Sequence, residues 1–260
     1  AFERGVYRRL SGLRQGGDYA LPFAVQKTRK IQIERKTDMS LDFSSVWQYW
    51  PFLWHGAVLT LQMTFLCLIC GFVLGVILSL IKISKCAPLV WFGRFYTSVF
   101  RGTPLLVQLC IVHFGLPQLL GVTFTAVQSG ILTFSLNSAA YVSEIFRGGI
   151  QAIDKGQYEA AASLGVSYRD MMKDIILPQA IKHVLPSLVN EAVALLKETS
   201  ILSYIGAVEL LRAADQITVM TYRFFEPYLV IALIYYVFVM VLSTLAGRLE
   251  RWVNRSDRVS

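Results

Sequence analysis

Long apolar runs constrain this chain more than any other feature. They lie at residues 53–81, 95–122, 124–146, 184–205 and 227–245, and each is near the roughly 20 residues that an α-helix needs to cross a bilayer. Because hydrocarbon offers no hydrogen-bond partners, such runs must form helices that satisfy their own backbone groups. The pattern predicts an all-α integral membrane protein with five transmembrane helices.

The composition points to the same class of protein. Of the 260 residues, 55% are hydrophobic and 16% are charged, whereas a soluble domain carries about a quarter charged residues. Residues 1–38 hold a net charge of +5 out of the total of +8, and no aromatic-interleaved basic face accompanies them. We therefore expect contact with membrane lipid and no nucleic-acid partner.

The chain divides into three parts by these patterns. Residues 1–45 form a basic N-terminal tail, and we expect the part before Met39 to be poorly ordered, non-native or an upstream extension. Residues 46–250 form the transmembrane domain, in which residues 147–183 make a polar arm between the third and fourth spans. Residues 251–260 form a C-terminal tail.

The distribution of lysine and arginine predicts the orientation. Basic residues are frequent after the first span, in the arm and after the fifth span, whereas none lies between spans two and three and only two lie between spans four and five. The positive-inside rule therefore predicts a cytoplasmic arm and C-terminus, with the N-terminus outside. The basic tail before Met39 argues the other way, but the three agreeing segments outweigh it.

The arm has the signals of two short helices. Asp154 is placed to cap a helix that ends at Gly165, and Ser167 is placed to start a second helix. Pro178 is expected to break or kink that second helix. Alanines at 160–162 predict a flat surface on the first helix, suited to the groove of another protein. A helix pair packed on the end of the bundle is the alternative.

The spacing within the arm resembles a known motif. The arm contains Glu-Ala-Ala, then a Gly after three more residues, and then Ile-x-Leu-Pro after nine more. This order and spacing are similar to the EAA loop of permease subunits of binding-protein-dependent ABC importers. The residues that carry the resemblance are Glu159, Ala160, Ala161, Gly165, Ile175, Leu177 and Pro178. The resemblance implies that residues 159–165 form a coupling helix that enters a cleft of a separate ATPase, and that residues 175–178 pack the arm onto the spans.

Three other stretches resemble the polar amino-acid branch of this family, which imports histidine, glutamine, glutamate, arginine or opines. They are residues 100–108, 140–150 and 197–200. The resemblance implies a bacterial inner-membrane subunit with three kinds of partner: ATPase subunits that hold ATP and Mg, an extracytoplasmic solute-binding protein, and a second permease chain, identical or homologous.

The fourth span carries an unusual set of polar residues, which form the candidate translocation path. They are Asn190, Glu191, Lys197, Glu198, Thr199 and Ser200. Polar groups at membrane depth must face protein or water, and Asn190 and Lys197 share one helix face because they are seven residues apart. Ion pairing that fixes the bundle or a dimer seam is an equal alternative.

The second span is interrupted by Arg101, Gly102, Thr103 and Pro104. Proline removes a helical hydrogen bond and biases Thr103 away from the helical conformation. The interruption is either the end of an interfacial helix, where Arg101 reaches the headgroups, or a hinge that lines the path.

Catalysis by this chain is not expected. It lacks the G-x-x-x-x-G-K-[ST] phosphate loop, its histidines are scattered, and its C-x-x-C at Cys67 and Cys70 lies in an apolar run where thiols pack as hydrophobes. We therefore expect neither a metal nor a cofactor on this chain. A permease of the same class for another small solute is one alternative. A secondary transporter, a channel or a membrane enzyme is a weaker one, because no coupling-ion site, internal repeat or catalytic cluster is evident.

Overall fold

The computed structural model describes residues 41–253, and this part of the chain is helical with no strand. The predicted N-terminal tail up to residue 40, with Met39, and residues 254–260 lie outside the described residues. The α-helices are α1 Ser44–Trp47, α2 Trp50–Ile83, α3 Ala87–Gly102, α4 Leu105–Cys110, α5 Leu116–Leu120, α6 Ala126–Gln151, α7 Lys155–Ser163, α8 Tyr168–Asp170, α9 Leu177–Glu198, α10 Leu210–Thr221 and α11 Phe225–Val253.

Two helices of the described part, α2 and α11, are long and apolar enough to cross a membrane. A third crossing results if α3 and the segment Leu105–Leu120 form one broken span, since they meet at a bend of 104°. The bend falls at Thr103 and Pro104, where the sequence predicts an interruption. Helices α6 and α9 cover much of the third and fourth predicted spans but carry more polar residues, several of which other helices bury.

Helix α6 packs against α2 through small residues. A Cβ atom added at Gly71 would lie 2.7 Å from the Ser138 side chain, and one added at Gly75 would lie 2.6 Å from Val142. Both glycines are four residues apart in α2, as their partners are in α6, so the two helices meet along one face each. This close approach is typical of membrane helices, where small residues allow backbones into van der Waals contact.

A buried carboxylate ties α10 to its neighbours. Glu209 caps α10, accepting hydrogen bonds from the backbone N–H groups of Leu211 and Arg212, both at 2.8 Å. The Tyr235 hydroxyl of α11 donates to the same carboxylate at 3.1 Å, and Thr60 of α2 accepts from the Leu210 N–H at 3.3 Å. Helices α2, α10 and α11 therefore meet at one polar joint.

The second helix of the arm runs directly into α9. Helix α8 is followed by the π-helical segment Met171–Ile176, by α9 and by the 3-10 helix Thr199–Ile205, without an intervening loop. Of the two expected effects of Pro178, the break is therefore wrong, because Pro178 lies in the first turn of α9, where its missing N–H costs little; a kink there stays a prediction. The wider turn before it keeps the column Tyr168–Ile205 continuous.

Candidate functional site

The arm has a small hydrophobic core of its own. Ala161 of α7, Met171 and Ile176 of the π-helical segment, and Ala180 of α9 are buried together with Ile153. The caps are those that the sequence predicts: Asp154 accepts from the Gly156 N–H at 2.6 Å, and Ser167 accepts from the Asp170 N–H at 3.2 Å. Burial raises the pKa of Tyr158, which packs on this core.

The turn after α7 depends on one glycine. Gly165 adopts φ +73°, a left-handed conformation that a residue with a Cβ atom rarely accepts. Its N–H donates to the Ala162 carbonyl at 3.0 Å, and the chain then reverses into α8. The position predicted to end the helix is therefore the position that turns the arm back on itself.

The exposed side of α7 is smaller than the sequence suggests. Glu159 and Ala160 are exposed, and Leu164 is 83% exposed. Ala161 is only 3% exposed, so its predicted place on the exposed surface is wrong: the helix turns this alanine toward Ile176. Three successive alanines cannot all share one helix face.

The Ile-x-Leu-Pro residues are divided between inside and outside. Ile175 packs against the core of the arm, but Leu177 and Pro178 are exposed. The expectation that all of residues 175–178 pack inward is therefore wrong for these two residues. Ile176, the residue that the motif leaves open, is completely buried instead.

The candidate path residues separate into an exposed pair and a bonded group. Asn190 and Lys197 are exposed on α9. Lys197 lines a cleft of about 290 Å³ with Ser200 and with Tyr228 and Tyr235 of α11. This exposed pair is open to contact with a solute or with another chain.

Three of the other four members of the set form hydrogen bonds within the bundle. Glu191 is half-buried and accepts a hydrogen bond from the Ser138 hydroxyl of α6 at 2.8 Å. Glu198 is half-buried as well and lies on the same helix face as Glu191, seven residues away. The Thr199 and Ser200 hydroxyls donate to backbone carbonyls three residues earlier, at 2.7 and 2.8 Å. In this conformation these hydroxyls are therefore engaged by their own helix.

The span-two break is closed by two amides that the sequence analysis did not single out. Gln108 donates through Nε2 to the carbonyls of Phe100, at 2.8 Å, and of Thr103, at 3.1 Å. Asn137 of α6 donates to the same Phe100 carbonyl at 3.1 Å and to Gln108 Oε1 at 3.0 Å. A polar residue one turn after Pro104 is the signal that could have identified Gln108.

Arg101, at the same break, is exposed and stands over the ring of Tyr141 at 5.3 Å. Gly102, Thr103 and Pro104 are exposed as well. The break therefore has an inner side, satisfied by Gln108 and Asn137, and an outer side that carries a cation.

A buried ion cluster joins α2 to α6. Lys82 has a side chain only 3% exposed, and its Nζ donates to Ser143 at 3.0 Å and to Glu144. Arg147 pairs with the other Glu144 oxygen, with Nε at 2.9 Å. The pairing of Glu144 with Arg147 follows from their spacing, but nothing in the sequence distinguishes Lys82 from a lysine that ends a span.

Metal-binding clusters are not found between residues 41 and 253, where no three histidine, cysteine, aspartate or glutamate side chains come together. The four cysteines are free thiols.

Known proteins match this chain over most of its length. The arginine transport system permease protein ArtQ of Bacillus subtilis is 49% identical over 219 residues, which cover 84% of this chain and all of that protein. A putative glutamine transport system permease protein, GlnP, of Rickettsia bellii is 48% identical over 200 residues, 77% of this chain and 92% of that protein.

Solved structures share the fold. A crystal structure of an amino acid ABC transporter with histidines superposes with a TM-score of 0.79 at 45% identity, covering 82% of this chain and 99% of that one. An inward-facing MetNI methionine ABC transporter superposes with a TM-score of 0.67 at 21% identity, covering 83% and 100%. The family of binding-protein-dependent transport system inner membrane components matches residues 71–255, and this chain belongs to it.

Proposed function

We propose that this chain is the permease subunit of an ATP-driven importer of a polar amino acid, with five spans and a coupling arm at residues 147–183. The observation that carries the proposal is the continuous column Tyr168–Ile205, which contains both the second helix of the arm and the candidate path residues. A displacement of the arm is thereby passed along one unbroken helical column, which contains Pro186 within α9 and is roughly 55 Å long at a rise of about 1.5 Å per residue. The names of the relatives support an amino acid as the solute.

The arm is the proposed contact for a separate ATPase, which holds ATP and Mg. Glu159, Ala160 and Leu164 form the docking surface, and Ala161, Gly165, Ile175, Leu177 and Pro178 hold its shape or flank it. Because Leu164 is almost fully exposed, it has apolar surface to bury against a partner. An extracytoplasmic binding protein and a second permease chain, identical or homologous, complete the proposed complex in the bacterial cytoplasmic membrane.

Lys197 and Asn190 are the proposed path-lining pair, because they are exposed on one helix and share a face. A zwitterionic solute needs both charge signs along its route, and Glu191 and Glu198 supply the negative one. Thr199 and Ser200 shape the end of α9. Residues 101–104, at the break, are the proposed hinge.

The test is to reconstitute the permease into vesicles with the ATPase and a solute-loaded binding protein, as the wild type and as three variants. Leu164→Asp is expected to weaken ATPase association at least about tenfold, as loss of a central apolar contact does, and to abolish import. Lys197→Ala is expected to retain the ATPase and lose import. Val122→Asp, the same kind of change at an exposed residue away from the arm, is expected to leave both intact.

Three results would count against the proposal or a part of it. Import by the wild-type chain without an ATPase would favour a secondary transporter or channel. Normal ATPase association of Leu164→Asp would remove the coupling surface, and normal import by Lys197→Ala would remove the path assignment alone.

A further inference from the structure

A cavity of about 760 Å³ lies where α2 ends; Arg101 and Gly102 of the span-two break line it, but none of the candidate path residues of α9 does. Lys82 and Ile83, near the end of α2, line one wall, α3 lines a second and the C-terminal half of α6 lines a third. Helix α2 is long and apolar enough to cross a membrane, and its apolar run ends at Ile81, so Lys82 follows the part of the helix that suits hydrocarbon and is expected near the lipid headgroups.

The cavity is strongly cationic. Lys82, Arg94, Arg101 and Arg147 face a single carboxylate, Glu144, which leaves a net charge of +3. Glu144 already pairs with both Lys82 and Arg147. The two arginines of α3 therefore have no anion of their own in the cavity.

Those two arginines are presented together. Arg94, Ser98 and Arg101 all line the cavity from α3, and their spacing of four and seven residues places them on one helix face. Within residues 41–253 the Arg94 guanidinium has no hydrogen bond or ion pair. Arg101 lies over the ring of Tyr141 and has no side-chain hydrogen bond or ion pair within the described part of the chain, so its N–H groups remain available there.

An apolar surface adjoins these cations on the same helix. Trp91 and Phe95 flank Arg94, stack on each other with ring centroids 5.5 Å apart and are 67% and 54% exposed. Tryptophan is enriched at the boundary between headgroups and acyl chains, and the apolar ring of Phe95 extends its surface. A ligand with an anionic head and an apolar tail matches both halves of this surface.

We propose that this cavity binds the phosphate of an anionic phospholipid, with Arg94 and Arg101 contacting the phosphate and the Trp91–Phe95 surface contacting an acyl chain. Guanidinium groups pair with phosphate through two parallel hydrogen bonds. A zwitterionic lipid carries no net negative charge, and repulsion between its own cation and the cavity offsets the attraction of its phosphate. The site does not depend on the proposed transport.

The test is native mass spectrometry of the full chain, purified with its partner subunits and titrated with dioleoylphosphatidylglycerol or dioleoylphosphatidylcholine. The wild-type chain is expected to bind dioleoylphosphatidylglycerol more tightly than dioleoylphosphatidylcholine. Arg94→Gln/Arg101→Gln is expected to bind dioleoylphosphatidylglycerol about tenfold more weakly, since charge-assisted hydrogen bonds are lost. Arg248→Gln/Arg251→Gln removes the same charge from exposed positions near the end of α11 and is expected to change binding by less than about twofold.

Two further measurements distinguish the remaining outcomes. Arg94→Gln alone loses no bonded partner among residues 41–253, so weaker binding by this variant supports the site without any question of folding. Displacement of the lipid by millimolar inorganic phosphate would show that a free anion, and not a lipid, is the ligand. Equal binding of the two lipids, or equal loss in the two double variants, would overturn the proposal.

Discussion

At the scale of single residues, Gln108 allows a helix to be interrupted inside a membrane protein. Pro104 cannot donate a backbone hydrogen bond, and the carbonyls of Phe100 and Thr103 near the break accept from the Gln108 amide instead. Asn137 fixes the orientation of that amide by donating to its oxygen. The hydrogen bonds among Phe100, Gln108 and Asn137 therefore join α3, α4 and α6.

This arrangement predicts the effect of removing the amide. Gln108→Leu keeps the size of the side chain but removes the amide that donates to the Phe100 and Thr103 carbonyls and the oxygen that accepts from Asn137, so it should lower the free energy of unfolding by about 1–3 kcal/mol. Gln118→Leu is the matched control, because Gln118 is exposed in α5 and should change stability by less than about 0.5 kcal/mol. Thermal unfolding of the two purified variants measures the difference, and equal midpoints would contradict the role of Gln108.

At the scale of elements, the sequence predicts ends of helices better than their faces. Asp154, Gly165 and Ser167 mark the arm because capping and left-handed turns are local and need few residue types. The burial of Ala161 and Ile176 is not local, because it depends on how α7 folds back on the π-helical segment. The same limit applies to Lys82, whose partners lie 61 and 62 residues away.

The contact between α2 and α6 carries a prediction at this scale. Gly75→Ala would place a Cβ atom 2.6 Å from Val142, so the helices must separate, at a cost of about 1–3 kcal/mol for overpacking. Gly247→Ala is the control: nothing lies within 4 Å of its added Cβ atom, and it should gain up to about 1 kcal/mol from helix propensity. A higher unfolding midpoint for Gly75→Ala than for Gly247→Ala would show that the two helices are not closely packed in the membrane.

At the scale of the whole molecule, the more polar helices are packed against other helices, whereas the apolar helix α11 buries few of its residues in this way. Helix α6 buries Ser129, Asn137 and Ser138 against its neighbours, whereas α11 has few buried residues along its length. Buried polar side chains need no contact with lipid, so α6 and α9 need not be as apolar as α2 and α11. Sequence hydrophobicity alone therefore identifies the lipid-facing helices well and the central ones less well.

The orientation of the chain in the membrane decides whether the arm can contact a cytoplasmic ATPase. It also predicts from which side of the membrane a thiol reagent reaches a cysteine introduced at a given residue. Leu164 and Val122 are both exposed, one in the arm and one in the segment between α5 and α6. In a Cys86→Ser background, which removes the exposed native thiol, a membrane-impermeant maleimide should label Leu164→Cys in inverted vesicles and Val122→Cys in intact spheroplasts. Cys67, which is buried, serves as the internal negative control. Labelling of Leu164→Cys from outside would reverse the topology derived from the basic residues and would place the proposed coupling surface where no cytoplasmic ATPase can reach it.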